Sequence, residues 1–492
     1  MSEEKSAYRQ VFKATSLFGG VQVFQILISL VRSKVIAVLL GPFGMGIAAL
    51  LNATINVISS FTNFGLEISA VKDVSEAKAG HNETKIAHTI AVVRRLVWIT
   101  GLLGMLLTIV LSPWLSQFTF ETDDYTWWFV WVSVALLFKQ LTAANMVILQ
   151  GLRKLKHLAK ANVLGSFIGL LITVPLYYYF GIDAIVPAII ITFLLSYLWS
   201  RYFAQKAKIT PFKTTTKTAF VEGKAMIRLG VMLSISGLLV VVSNYVLQIF
   251  IRYIGGEAQV GLYAAGFVII NTYVGMVFKA MATDYYPRLA AVANDIIKVR
   301  ETVLHQAYIA VLIITPIIIL FLIFAEFIIQ LLYSSKFLPI VGFLVWAIMS
   351  TLFKAVSFSM GYIFIAKGDS KIFMKTSVLF NILLLSSSMF GYYLGGLTGL
   401  GIGFLSYYIL HFILVSTITK LTYNFYFPTT FYLLFIGCIV MVGTAFGVYQ
   451  LVDSLLWKYI ILALILIIAV GGSFKLLDKK LDFRDSIKNF RK

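Results

Sequence analysis

Residues 308–333 read YIAVLIITPIIILFLIFAEFIIQLLY, an apolar run that a single charged side chain, Glu326, interrupts. A helix needs about 20 predominantly apolar residues to cross the hydrocarbon core of a bilayer. The run meets that length, and it is far too long for a strand of a membrane barrel, which takes about 10 residues. The stretch therefore predicts a transmembrane α-helix.

The composition extends this interpretation to the whole chain of 492 residues. Apolar residues make up 60% of it and charged residues only 13%, whereas an average soluble domain is about 45–50% apolar and about 25% charged. A bilayer can hold this apolar excess and a soluble fold of this size cannot. We expect an all-α, polytopic membrane protein. Cys438 is the single cysteine and no zinc-ligand spacing joins it to a histidine, so we expect neither a disulfide nor a metal or other cofactor.

The apolar runs predict about 14 transmembrane helices. Their approximate spans are 14–40, 44–67, 93–116, 125–150, 159–180, 182–205, 227–253, 258–283, 308–333, 338–366, 372–394, 397–419, 429–450 and 456–474. This pattern predicts an N-lobe of helices 1–6, a linker, a C-lobe of helices 7–12, and a final part with helices 13 and 14 and a basic tail. The expected boundaries are 1–207, 208–224, 225–421 and 422–492.

Lysine and arginine are concentrated in alternate loops. The linker and the C-terminal tail are strongly basic, whereas the other set of loops is short, nearly free of cations and includes the acidic segment Glu121–Asp124. The positive-inside rule therefore predicts cytoplasmic N- and C-termini. This distribution accounts for most of the net charge of +20 without a nucleic-acid partner. The short outer loops leave no room for a catalytic domain, so we do not expect an enzyme.

The chain repeats itself at an offset of 215 residues. Leu137-Phe138-Lys139 aligns with Leu352-Phe353-Lys354, and the same shift aligns glycines, lysines and tyrosines in three other regions. The further pairs are Gly41 and Gly256, Gly46 and Gly261, Lys156 and Lys371, Lys160 and Lys375, Tyr177 and Tyr392, Tyr178 and Tyr393, and Gly181 and Gly396. The repeat unit has six helices, an even number, so the two lobes form a parallel repeat. Transporters of that kind bind their substrate between the halves.

Two lysines lie where a membrane helix should exclude charge. Lys139 and Lys354 are repeat mates, each about 12 residues from the cytoplasmic end of its helix, which is about 18 Å deep. A cation at mid-membrane costs roughly 2.5–3.5 kcal/mol on insertion scales, so it usually has a function. The depth exceeds what snorkelling relieves, and we expect both lysines to face a central cavity.

Three more cations are candidates for the same cavity. Arg32 and Lys34 lie in helix 1, two residues apart and hence on different sides of it, so we expect at most one of them to face the cavity centre squarely. Arg252 lies at the outer end of helix 7, where snorkelling to the membrane interface is an equal alternative. A cavity lined by these cations selects an anionic ligand, and phosphate or pyrophosphate fits best because Lys and Arg stabilise both strongly.

Deep acidic residues are scarce. Glu67, Asp284 and Glu326 are the candidates for ion coupling or gating, and coupling to H⁺ or Na⁺ stays open. No Walker A motif for ATP is present. The glycine-rich segment 395–403 opens a membrane helix, and we interpret it as close helix packing.

Three segments at matching helices carry a family resemblance. They are Val31-Arg32-Ser33-Lys34 leading into residues 40–46, Thr283–Leu289, and Lys336-Phe337 through Lys354 and Gly361 to Ala366-Lys367-Gly368. The chain resembles, over roughly residues 10–420, the polysaccharide-transporter branch of the multidrug/oligosaccharidyl-lipid/polysaccharide (MOP) exporter superfamily, and is most similar to Wzx-type flippases of O-antigen and enterobacterial common antigen.

The resemblance implies two six-helix lobes around a cationic cavity in the bacterial inner membrane. It implies translocation of undecaprenyl-pyrophosphate-linked oligosaccharide between leaflets by alternating access, among membrane lipids and with a polysaccharide polymerase and assembly proteins as partners. Lys34, Arg252 and Lys354 match cationic positions of the Wzx-type pattern, and Arg32 matches a helix 1 cation of lipid II flippases. The family often has Trp-Gln where this chain has Trp346-Ala347, which leaves the sugar open.

The sequence leaves two other functions to compare with this one. A cation-coupled multidrug exporter of the same superfamily is the alternative, but an acidic residue is expected in its helix 1, where this chain has Arg32 and Lys34. A membrane glycan polymerase or ligase needs a sizeable outer loop, and the loops here are too short.

Overall fold

The computed structural model describes residues 2–210 and 212–481, with side chains from residue 20 to residue 478 apart from residue 211. Every regular element in these ranges is helical. The α-helices are α1 Ser2–Leu39, α2 Gly41–Thr62, α3 Leu66–Ala79, α4 Glu83–Phe120, α5 Thr126–Gly151, α6 Leu155–Phe180, α7 Ile185–Gln205, α8 Thr216–Val268, α9 Gly275–Ala291, α10 Ile296–Leu332, α11 Val341–Ala366, α12 Ser370–Tyr423, α13 Thr429–Leu451 and α14 Leu455–Leu481. A π-helix, Ile269–Val274, joins α8 to α9, and 3₁₀ turns occupy Gly181–Ala184 and Ser335–Ile340.

Eleven stretches of the described chain are long and apolar enough to cross a membrane. Three of them are much longer than one crossing: Leu155–Gln205 has 51 residues, Thr216–Ala291 has 76 and Ser370–Tyr423 has 54. Each is interrupted where the backbone leaves helical geometry, at a 3₁₀ turn from Gly181, at Gly256, and at Gly395 with Gly396. The all-α polytopic membrane fold is confirmed, and the count of 14 crossings stays a prediction.

The backbone repeats its bends at the offset that the sequence shows. Three pairs of residues 215 positions apart all adopt positive φ, a conformation that favours glycine. The φ angles are +66° at Gly41 and +78° at Gly256, +56° at Gly181 and +55° at Gly396, and +54° at Arg153 and +68° at Gly368. The duplication therefore includes the turns that end the helices as well as the helices themselves.

The helices group into two compact units. The first unit contains Met1–Gly261 with Leu332–Ser334, and the second contains Leu262–Leu331 with Ser335–Lys492. The first part of α8, which the sequence assigned to the C-lobe, thus packs with α1–α7. The reason lies in how closely α8 approaches α2.

Glycines bring the backbones of α2 and α8 into direct contact near both ends of α2. A Cβ atom at Gly46 would lie 1.8 Å from the carbonyl oxygen of Glu257, and one at Gly65 would lie 2.0 Å from that of Gly230. Gly65 also has a φ of +69°. Small residues permit this kind of close approach between membrane helices, so both contacts depend on the absence of a side chain.

The structure corrects the predicted end of helix 2. The expected span ran to residue 67, but α2 ends at Thr62 and a glycine turn at Gly65 starts the separate, more polar helix α3. An exposed Lys72–Glu76 ion pair of 3.6 Å lies on α3. The predicted linker is also shorter, because α8 already begins at Thr216.

In the second unit, the glycine-rich segment acts as a packing surface, as the sequence predicted. A Cβ at Gly399 would lie 2.0 Å from the carbonyl oxygen of Gly391, and one at Gly401 would lie 2.5 Å from that of Phe343. The two arms of α12 and the start of α11 are therefore in backbone contact.

Candidate functional site

Lys139 lies within α5 and binds an amide. Its Nζ donates a hydrogen bond of 2.7 Å to Oδ1 of Asn56 on α2. The next residue, Gln140, is fully buried and donates to the carbonyl oxygen of Ser59 at 3.2 Å. Gln140 thus fixes α5 against α2, while Lys139 and the exposed Asn56 offer a charged ammonium and an amide to a ligand.

Lys354 lies within α11 of the second unit and faces aromatic rings. Its Nζ is 5.1 Å from the ring centroid of Phe278 on α9 and 5.6 Å from that of Tyr408 on α12. Cations at such distances from a ring are attracted by the ring quadrupole. His411, one turn beyond Tyr408, packs against Phe380 with ring centroids 4.2 Å apart.

Asn56 and Asn271 are repeat mates that the sequence comparison missed, although the offset of 215 residues aligns them. Asn56 binds Lys139 from a regular α-helix. Asn271 lies instead in the π-helix Ile269–Val274, and π-bulges are frequent at functional sites. The extra residue of a π-bulge shifts the register of the helix that follows it. In the second repeat, Phe278 on α9, which follows the π-helix, lies next to Lys354.

Arg252 is a paired residue near the end of the first arm of α8, just before the bend at Gly256, on the side of the membrane that the sequence predicts to be outer. Its guanidinium lies 2.7 Å from Oε2 of Glu121 and 3.3 Å from Oε1 of Glu257, and it donates to the carbonyl oxygen of Phe120. The Arg252 side chain is only 12% exposed. We call Arg252, Glu121 and Glu257 the outer latch.

Arg32 and Lys34 both lie beside α6. Nη2 of Arg32 donates to the carbonyl oxygen of Ser166 at 3.2 Å. Lys34 lines a largely apolar groove of about 490 Å³ together with Pro175 and Tyr178. Arg32 thus contacts α6 directly, and the expectation that the two cations point to different sides of α1 stays a prediction.

The three acidic candidates have different surroundings. Asp284 on α9 forms an exposed ion pair of 2.7 Å with Arg288. Glu326 on α10 is exposed. Glu67 is exposed in the first turn of α3, and its charge acts on Lys139. The role of these three residues in coupling stays a prediction.

Metal ligands do not cluster in the described part of the chain: within it, no three His, Cys, Asp or Glu side chains are placed to hold one ion. The described site chemistry consists of ammonium, guanidinium, amide and aromatic groups. Of these groups, the ammonium, guanidinium and amide N–H groups can bind and orient an anion.

Residues 35–342 match the family described as polysaccharide biosynthesis protein. The match covers more than half of the 492 residues. The chain belongs to this family. No curated protein matches it by sequence.

Solved membrane transporters share the fold. The lipid II flippase MurJ in its inward closed conformation superposes with a TM-score of 0.67 at 14% identity, covering 94% of this chain and 99% of that one. A multidrug resistance MATE family transporter of the MOP superfamily, inward-facing, gives a TM-score of 0.64 at 14% identity over 87% and 96%. A Vibrio cholerae MATE transporter, VcmN, gives 0.56 at 16% identity over 86% and 98%. The expected likeness in fold to these proteins is confirmed, and the protein is a multi-pass membrane protein.

Proposed function

We propose that this protein is a flippase for undecaprenyl-pyrophosphate-linked oligosaccharide, an O-antigen or similar surface polysaccharide unit. It moves the substrate from the cytoplasmic to the periplasmic leaflet of the bacterial inner membrane by alternating access. Fourteen crossings with both termini in the cytoplasm, and a polysaccharide polymerase with assembly proteins as partners, complete the proposal. Membership of a polysaccharide biosynthesis family and a fold shared with a lipid II flippase support it.

The observation that carries the proposal is the pair of repeat-related lysines inside α5 and α11. Neither Lys139 nor Lys354 forms an ion pair with a carboxylate among the described residues. An intramembrane cation without a counter-ion is costly, and a phosphate or pyrophosphate group supplies the missing negative charge. Charge-assisted hydrogen bonds to such a group are about twice as strong as neutral ones.

A flippase for a lipid-linked oligosaccharide needs to shield only the polar part of the substrate from the hydrocarbon of the membrane. The polyprenyl tail stays in lipid throughout, whereas the charged head group and sugars would be strongly disfavoured in hydrocarbon. The interior cations and amides of this fold suit the head group. Coupling to H⁺ or Na⁺ would use Glu67, Asp284 or Glu326, the acidic candidates of the sequence.

The outer latch changes the role that we propose for Arg252. It ties Glu121, in the acidic loop after α4, to Arg252 near the outer end of the first arm of α8. A cation that already has two carboxylate partners is poorly suited to bind an anionic head group at the same time. We therefore assign Arg252 to holding the loop after α4 against α8, rather than to binding the head group.

The test replaces each lysine in a cell that needs the protein for surface glycan. Lys139→Gln and Lys354→Gln keep a polar side chain but remove the charge, and each should lower export about 10- to 100-fold if a charged hydrogen bond worth about 1.5–3 kcal/mol is lost. Lys72→Gln, an exposed lysine paired with Glu76, is the matched control and should export normally.

Normal export by both lysine variants, at normal protein levels, would disprove the proposed role of the interior cations. The alternative, a multidrug exporter, predicts a different pattern. The lysine variants would then leave surface glycan intact and would alter resistance to cationic drugs.

A further inference from the structure

A second cationic site lies in the first unit, away from the interior lysines. It is a cavity of about 280 Å³ between α4, α5 and α7, lined by Arg94, Trp98, Asn145, Tyr197, Arg201 and Gln205. Arg201 lies in the last two turns of α7 and Asn145 in the last two turns of α5. The predicted topology puts these helix ends at the cytoplasmic surface of the membrane.

Two guanidinium groups face this cavity without a counter-ion. Arg94 and Arg201 form no ion pair with a carboxylate in the described ranges, and their charges act on each other. Nη1 of Arg201 donates to Oη of Tyr197 at 2.8 Å. Like charges that share a partly enclosed site repel, so an anion between them would remove that cost.

The neighbouring residue Arg95 has different surroundings from Arg94. Arg95 donates from Nε and Nη2 to Oγ1 of Thr216, at 3.0 and 2.8 Å. It is thus satisfied by the start of α8 and does not line the cavity. A basic residue at the membrane surface is ordinary, but two that converge on one cavity with an indole, a phenol and two amides form a binding site.

The chemistry of the lining fits a phosphodiester or phosphomonoester. Guanidinium groups bind phosphate oxygens in a bidentate manner, and the amides of Asn145 and Gln205 can hydrogen-bond to the remaining polar atoms. Trp98 is 44% exposed, and indole rings favour the level of lipid head groups. Leu141 and Ala144 complete an apolar wall for the first part of an acyl chain.

We infer that this cavity binds the phosphate head group of an anionic lipid from the cytoplasmic leaflet. Such a site is separate from the interior lysines, and its occupancy does not depend on what the protein transports. The bound lipid would neutralise two repelling cations and hold α4, α5 and α7 together at their cytoplasmic ends.

The test measures lipid retention by the purified full-length protein with native mass spectrometry. Wild type, Arg94→Gln, Arg201→Gln and the double variant are each incubated with phosphatidylglycerol, with phosphatidylcholine or with a polyprenyl phosphate. Arg95→Gln is the control, because it removes the same charge from the neighbouring position. Arg94→Lys with Arg201→Lys keeps the charges and detects variants that fail only because they fold poorly.

We expect the double glutamine variant to bind phosphatidylglycerol at least about 10-fold more weakly than wild type and Arg95→Gln. The double lysine variant should recover most of the binding. Stronger retention of polyprenyl phosphate than of phosphatidylglycerol, with the same arginine dependence, would support the site and identify its lipid.

Two results would overturn the inference. One is equal phosphatidylglycerol retention by the double glutamine variant and Arg95→Gln. The other is displacement of the lipid by millimolar inorganic phosphate, which would show a site for free phosphate rather than for lipid.

Discussion

Lys139 and Lys354 occupy the same position in the two repeats, yet their neighbours differ. Lys139 bonds to the amide of Asn56, whereas Lys354 lies against the rings of Phe278 and Tyr408. Duplication preserved the cation and the helix ends but not the groups around the cation. The conserved element of this site is therefore its charge, and the divergent element is how each half positions that charge.

The difference has a local structural cause. The helix that carries Asn56 is regular, whereas its repeat mate Asn271 falls in the π-helix Ile269–Val274. The buried residue that follows each lysine also differs, because Gln140 in the first half corresponds to Ala355 in the second. The first half thus holds its lysine by a polar network and the second by aromatic packing.

Among the neighbours of the two lysines, the largest expected effect comes from replacing the asparagines at the repeat-related positions 56 and 271. Asn56→Leu removes the partner of Lys139 and should lower the transport rate about 10-fold, in the range of a lost hydrogen bond to a charged group. Asn271→Leu, at the equivalent position, should lower it no more than about 2-fold because Asn271 does not hold the lysine of its repeat. The measurement is glycan export at matched protein levels, and equal losses would mean that the two halves use their lysines in the same way.

An intermediate effect is expected at the outer latch, which has no counterpart at the repeat-related positions. The repeat mates of Arg252 and Glu121 are Ala37 and Lys336. An alanine and a lysine cannot form an ion pair, so the repeat-related positions have no such contact. Glu121→Gln should weaken the latch by about 1 kcal/mol, since the carboxylate is half exposed. Hydrogen exchange of the backbone amides near Phe120 and Arg252 should become about 5-fold faster.

Asp124→Asn is the control for the latch. It removes the same charge from the same loop, where Asp124 accepts a hydrogen bond from Thr122 rather than from Arg252. If both variants exchange at the wild-type rate, the outer latch does not hold these ends together.

The smallest effect is expected from the aromatic neighbours of Lys354. Tyr408→Phe keeps the ring and should transport at nearly the wild-type rate. Tyr408→Leu removes a cation–π contact worth about 0.5–1 kcal/mol and should slow transport about 2- to 5-fold. Equal rates for the two variants would show that Tyr408 contributes only volume.

Much of the fold follows from the sequence because apolar length and charge placement decide it. The turns at Gly41, Gly181, Gly256 and Gly396 were visible as glycines at the repeat offset, and all four adopt positive φ. The break at Gly65 was not predicted, because α3 continues the helical pattern of α2 with no proline or long polar stretch between them.

The candidate site was only partly predictable. Deep lysines are conspicuous in an apolar sequence, so Lys139 and Lys354 could be found from sequence alone. Their partners depend on which helices pack together. The bond from Glu121 to Arg252 joins residues 131 positions apart, and no local pattern signals a contact of that kind.

The most direct test of the central claim measures flipping by the purified protein in liposomes. A fluorescent undecaprenyl-pyrophosphate oligosaccharide is placed in both leaflets, and its appearance outside is followed with an impermeant quencher. Wild type and Lys72→Gln should flip the lipid, and Lys139→Gln with Lys354→Gln should reduce the rate at least about 100-fold. Flipping at the wild-type rate by the double variant would contradict the account.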